Sequence, residues 1–195
     1  MRKYKAEMAE PLRNIFQIKI SLIGAKPPIW RRLLVTSSTD LLKLHDIIQI
    51  AMGWTDTHLH QFIANKNRYG VPEPDWEDGT IPEKGVRIGS LLKKPKDHII
   101  YEYDFGDGWE HRLELEEVLP LTSESITPVC TAGQNSCPPE DVGGVWGYSD
   151  FLEAYKDNDH PEHENMKEWI GGYFDPTEFD LDEINQVLRE EHGTA

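Results

Sequence analysis

Cysteine is scarce in this chain: of 195 residues only Cys130 and Cys137 carry a thiol. Two thiols cannot build a disulfide framework, and their separation matches no zinc-knuckle spacing, with no second Cys-x-x-Cys to complete a four-thiolate site. They read as free thiols of a reducing compartment, able at most to close one small loop in oxidising surroundings. Long apolar runs are missing too, since none approaches the roughly 20 residues that a membrane span requires. The opening residues MRKYKAEMAEPLRN have basic side chains with no apolar segment behind them. That pattern is not a secretory signal, and a cytoplasmic location is expected. No internal repeat, low-complexity tract, GxxxxGK(S/T) loop or strand-GxGxxG-helix context is present.

Basic residues are short in one half only. Residues 1–100 hold 16 Lys+Arg against 11 Asp+Glu, whereas residues 101–195 hold 4 against 24, and the whole chain carries a net charge of −15. An acidic half repels phosphate backbones, so nucleic acid is a disfavoured partner; only Arg31, Arg32 and the run Lys93, Lys94, Lys96 could serve it. Such clusters are more often a solvated face or counter-charges for the acidic half.

What is present is ordinary globular material, 38% hydrophobic and 28% charged, enough for one domain with a sizeable core. The expected plan is a single domain over 1–195, with a flexible N-terminus at 1–12, an α+β core over 13–148 and a helical section over 149–193. NIFQIKISLIG alternates as a half-buried strand, and PPIWRRLLVTS follows as its antiparallel neighbour after a turn at Gly24 and Lys26. Ser38 or Thr39 can cap a helix over DLLKLHDIIQIAMG, whose stripe of Leu41, Leu44, Ile48 and Ala51 faces the sheet and which Gly53 ends. His45 neighbours that stripe and reads as a surface or packed histidine. THLHQFIA reads as a strand. Residues 65–95 read as a long surface excursion with one helical piece at RIGSLLKK; Asp75, Trp76, Glu77 and Asp78 offer an acidic, aromatic contact surface. In the tail, Asp150 and Glu153 suggest a capping box for FLEAYKD. Pro161 opens EHENMKEWI, which Gly171 and Gly172 end, and Asp180 with Glu183 opens LDEINQVLREEH, ended by Gly193. The sum is α+β, roll-like, with a mainly antiparallel sheet, a covering helix and a C-terminal helical section.

Three constellations carry chemistry. In the hairpin YEYDFGDGWEHRLELEEV, Tyr101, Tyr103 and Phe105 share one face, while Trp109, His111, Leu113 and Leu115 alternate with a charged solvent face. His111 thus projects to the apolar side beneath a turn holding Asp104 and Asp107. Two readings stand: a core histidine with turn-forming acids, or a ligand-contacting imidazole. In HLH, His58 and His60 point the same way if the segment is a strand, and with His111 or a carboxylate they could hold a divalent metal; the plain alternative is a solvent-facing pair. In CPPEDVGGVWGY, the prolines stiffen the entry, Glu140 and Asp141 follow, and the glycines allow close backbone approach.

The order PPIWRRL, LHDIIQIAMGWTDTHLHQF, YDFGDGWEH, CPPEDVGGVWGY and FDPTEFD, spread over about residues 13 to 190, resembles the pRiA-plasmid open-reading-frame-three-like family, also met as passenger proteins of insertion-sequence elements. The resemblance implies an α+β roll-like domain and a neighbourhood of mobile elements. It carries over no catalytic residues, and His58, His60, Asp104, Asp107, Trp109, His111, Glu140 and Asp141 stand as candidate positions only.

Two functions follow from this reading. One is a non-catalytic binding or accessory module for a protein or small molecule, its cleft formed by Asp104, Asp107, Trp109, His111, Glu140, Asp141 and Trp54. The other is a metal-dependent hydrolase or nuclease-like enzyme in which His58, His60 and His111 or Asp104 hold a divalent ion and Glu140 or Asp141 is the base.

Overall fold

The alternation in NIFQIKISL becomes strand β1 (Asn14–Leu22), with Phe16, Ile18, Ile20 and Leu22 buried. It pairs antiparallel with β2 (Trp30–Thr36) on one side and, across a bulge at Gln17/Ile18, with β7 (Trp109–Pro120) on the other. The remaining strands are β3 (His60–Ala64), β4 (Asn67–Gly70), β5 (Ile81–Pro82), β6 (His98–Tyr103) and β8 (Val129–Gln134). All eight form one sheet in the order β5-β4-β3-β6-β7-β1-β2-β8, antiparallel except at β4–β5. This computed structural model describes residues 14–72, 79–123 and 125–193, so the expected N-terminal tail and the acidic surface at Asp75 to Asp78 lie outside the described residues.

Helix α1 (Leu41–Met52) buries Leu41, Leu44, Ile47, Ile48 and Ala51 in the core and ends at Gly53 in the left-handed region. Its N-cap is Asp40, whose carboxylate accepts from Lys43 N, rather than Ser38 or Thr39. Those two hydroxyls are bonded to Thr36 Oγ1 instead. The excursion after β3 is less irregular than its composition suggested: β4 and β5 extend the sheet edge, and α2 (Ile88–Leu91) buries Ile88. β8 was not legible either, because PVCTAGQ has no clean alternation.

Helix α3 (Gly144–Lys156) starts at the glycine pair, so Asp150 and Glu153 lie inside it and do not form its cap. α4 (His163–Ile170) ends at Gly171 as expected, and α5 (Leu181–His192) is capped by Asp180, which accepts from the Asp182 and Glu183 amides. α5 lies against β8: the Asn185 side-chain amide accepts from Cys130 N and donates to Cys130 O, both at 2.8 Å. Among the described residues no helix is long and apolar enough to cross a membrane. The architecture is α+β with a mostly antiparallel sheet.

Candidate functional site

The β6–β7 turn is held open by its own aspartates. Asp104 sits in the left-handed region at φ 55 and accepts from Gly106 N with its carboxylate (2.9 Å) and from Gly108 N with its carbonyl (2.6 Å). Its own N–H donates to Leu59 O at 2.9 Å, which ties the turn to the HLH segment. On the far side the Asp107 carboxylate accepts from Gly143 N at 3.0 Å. There the backbones approach so closely that a Cβ on Gly144, itself at φ +69, would collide with the Asp107 carbonyl. Glycine is therefore required at 144 for steric and conformational reasons together. The three stretches that the sequence singled out meet here.

Their meeting point presents acids. His58 Nε2 lies 3.3 Å from Asp141 Oδ1, and His58 Nδ1 lies 3.8 Å from Asp104 Oδ2. One ligand atom from each of the three falls within 4.8 Å of the others. Beside them Glu140 accepts from Tyr103 OH (2.6 Å), Thr55 Oγ1 (2.5 Å) and Thr57 Oγ1 (3.4 Å). Partial burial alone would raise the Glu140 carboxyl, but the Thr55 and Tyr103 hydrogen bonds outweigh it and hold the group below its ordinary value, fully ionised at neutral pH. Tyr103 is pushed up to about 12 by burial and by its bond to Glu140, so it remains a donor. Trp54 donates its indole N–H to Pro138 O at 3.0 Å and stacks on Tyr103 with ring centres 5.0 Å apart.

The loop carrying these acids stands between two hollows. One, about 410 Å3, is walled by Trp54, Pro138, Pro139 and Glu140 on one side and by Phe179, Glu183 and Ile184 on the other. The second, about 500 Å3, runs between α3 and α4 and begins at Asp141.

Other expected positions lie elsewhere. Trp109 and His111 are fully buried. His111 Nδ1 is bonded to the Trp109 carbonyl at 3.0 Å, and the ring meets Trp54 edge-on. Burial lowers His111 to about 4, so it is a neutral core imidazole. The proposed sharing of one ion by His58, His60 and His111 does not match this geometry. Strand β3 begins only at His60, so the strand rule that aligned His58 with it does not apply. His60 instead turns to Glu83, at 2.8 Å, and stacks on His45 with ring centres 3.5 Å apart and planes 5° from parallel. Burial pushes the Cys137 thiol well up and holds it protonated.

The His45–His60 stack was not legible as a site. Gln49 donates to Tyr101 OH at 2.9 Å, which leaves the tyrosine proton for His45 Nδ1, also at 2.9 Å. His45 Nε2–H then donates to Asp56 at 2.8 Å, and burial, followed by the neighbouring His60, keeps His45 neutral against the pull of Asp56. Donor atoms of His45, Asp56 and His60 also lie within 4.8 Å of one another. Yet an ion must lie near the plane of each imidazole it binds, and two rings stacked face to face cannot both offer a lone pair to one centre. This group is a hydrogen-bonded pillar. The stripe position of His45 and the HLH motif for His60 were its sequence signals, neither of which pairs the two rings, and Glu83 had none.

The sequence profile described as plasmid pRiA4b ORF-3-like protein matches residues 14–183. An uncharacterised protein, y4hQ, of Sinorhizobium fredii (strain NBRC 101917 / NGR234) is 36% identical over 180 residues, covering 90% of this chain and 91% of that protein. The crystal structure of a protein of unknown function, MM3350, from Methanosarcina mazei Go1 is similar at a TM-score of 0.78 and 37% identity, over 88% of this chain and 97% of that one. With the match running through every strand and through the HLH, DFGDGWEH and CPPEDVGG segments, the chain belongs to the plasmid pRiA4b ORF-3-like family.

Proposed function

We propose that this protein is a non-catalytic binding module whose acidic face, built from His58, Asp104, Glu140 and Asp141, takes a cationic, hydrogen-bond-donating partner. The observation that carries the reading is Glu140. A carboxylate held ionised and fixed by three hydroxyls is a preorganised acceptor, and a fixed acceptor selects a donor without losing rotamer freedom on binding. Two groups that could serve group transfer are withdrawn, since His111 is sealed in the core and burial holds the Cys137 thiol protonated. An accessory part in mobile-element biology suits a module of this kind, and the plasmid origin in the family's description supports it.

Amide chemical shifts during titration with spermidine and with arginine methyl ester test the reading. Saturable shifts are expected at Thr57, Gly106 and Gly143, with Glu140→Gln weakening them several-fold. Absence of any saturable shift with either probe would retire it.

One observation favours a second reading, a metal-dependent hydrolase or nuclease-like enzyme: the donor atoms of His58, Asp104 and Asp141 lie within 4.8 Å, a spacing that closes onto a divalent ion with small side-chain movements. Elemental analysis of purified protein and of His58→Ala and Asp104→Asn decides between them. Stoichiometric zinc, manganese or nickel lost in both variants would replace the binding-module reading with this one; protein free of metal, with both variants folded, removes it.

A further inference from the structure

The groove between α3 and α4 is a surface with a consistent chemistry of its own. Gly147, Asp150, Phe151 and Ala154 recur on α3 at intervals of three and four, so they form one helical face, and Met166 and Trp169 on α4 lie opposite. The floor is apolar, and Gly147 and Ala154 keep it low. The rim is acidic: Asp141, Asp150, Glu153 and Glu162 line it, and no Lys or Arg does. Trp169 lines the groove half-exposed, and Trp146, beside Gly147, is 82% exposed. Apolar floor and carboxylate rim together describe the complement of one kind of surface.

We infer that this groove is the docking site of a basic amphipathic helix from a partner protein, its apolar side chains on Met166 and Trp169 and its Lys or Arg side chains against Asp141, Asp150, Glu153 and Glu162. The inference rests on the acidic-face reading, because Asp141 both pairs with His58 and opens the groove. Charge selects the occupant. A half-chain with 4 Lys+Arg against 24 Asp+Glu repels anionic lipid and nucleic acid alike, which leaves a cationic polypeptide as the macromolecule that gains from approach. Size selects its conformation. The groove of about 500 Å3 takes a few large side chains, and the 13 residues of α3 run about 20 Å, so a helix of about 14 residues presenting anchors at i, i+3, i+4 and i+7 matches it. Small residues on the floor let such a helix come close.

The probe is a fluorescein-labelled helical peptide of about 14 residues, with leucine on one face and lysine on the other. Its comparison peptides carry glutamate for lysine, or the same composition without a leucine face. Anisotropy is read against the full chain at about 0.1 M salt, with circular dichroism confirming that each variant folds. The amphipathic basic peptide should bind and both comparison peptides should fail. The exposed pair Asp150→Lys with Glu153→Lys should weaken binding roughly ten-fold or more, while the pair Glu190→Lys with Glu191→Lys on α5 should change it less than about two-fold. Equal losses in the two pairs would mean attraction by bulk charge alone and would overturn the inference. Equal binding of the peptide without a leucine face would overturn it too. If the basic peptide does not bind while spermidine still shifts Thr57, Gly106 and Gly143, the groove assignment falls and the acidic-face reading stands; if neither probe binds, both fall.

Discussion

At the scale of single residues, burial decides which titratable groups act and which only fill space. His111 is the clearest case: an imidazole whose ordinary value is 6.5 is lowered to about 4 because burial outweighs the two backbone carbonyls, of Tyr101 and Trp109, that would favour its charged form. The sign follows from linkage. Between those two values the unfolded chain binds a proton that the folded chain refuses, so the contribution is full above about 6.5 and is lost as pH falls towards about 4. The gap corresponds to about 3 kcal/mol. Denaturant unfolding of wild type and His111→Phe at a series of pH values should show the variant losing less stability than wild type across that interval; parallel curves would mean that His111 is not neutral in the fold. Glu140 is the opposite case, a carboxylate kept ionised by donors, and Glu140→Gln should leave the fold standing while removing the negative charge and one acceptor oxygen that the binding reading needs.

At the scale of elements, two junctions hold the site in place. Gly144 lets the β6–β7 turn touch the start of α3, and Gly144→Ala adds a strained φ and a collision with the Asp107 carbonyl. A loss of about 1–3 kcal/mol is expected, with the Gly143 amide shifted in the NMR spectrum as its bond to Asp107 breaks. Asn185→Ala leaves both backbone polar groups of Cys130 without their side-chain partner. A cost of about 2 kcal/mol and faster hydrogen exchange at Cys130 should follow. Strands β1, β2, β3, β6 and β7, with α1 and α5, were legible from pattern and punctuation: alternation in NIFQIKISL, Gly53 after α1, Asp180 before α5. α3 was misplaced at its start because Asp150 and Glu153 have capping-box spacing, while the true start depends on a contact with residue 107 that no local pattern encodes. β4, β5 and β8 were missed for a related reason, since each owes its strand conformation to a neighbour already in the sheet. Of the candidate site, the polar and aromatic composition of the three segments was readable, and their meeting was not, because it rests on contacts between residues far apart in the chain, such as Gly143 N to Asp107. The separation of His58 from His60 was not, because it turns on where β3 begins.

At the scale of the whole molecule, a net charge of −15 makes self-repulsion a term of its own. Raising salt from about 20 mM to about 0.5 M should raise the melting temperature, most steeply at the low end; a flat response would mean that the acids are already neutralised by local pairing. The two ends of the sheet carry a second consequence. At one end β5 is two residues long and includes Pro82, which has no N–H to give. At the other, the Asn185 carboxamide occupies the outward N–H and C=O of Cys130 as a surrogate peptide unit. Among the described residues, one selvedge is thus too short and the other is stoppered at Cys130, which disfavours strand addition there and turns recognition toward side chains and helices.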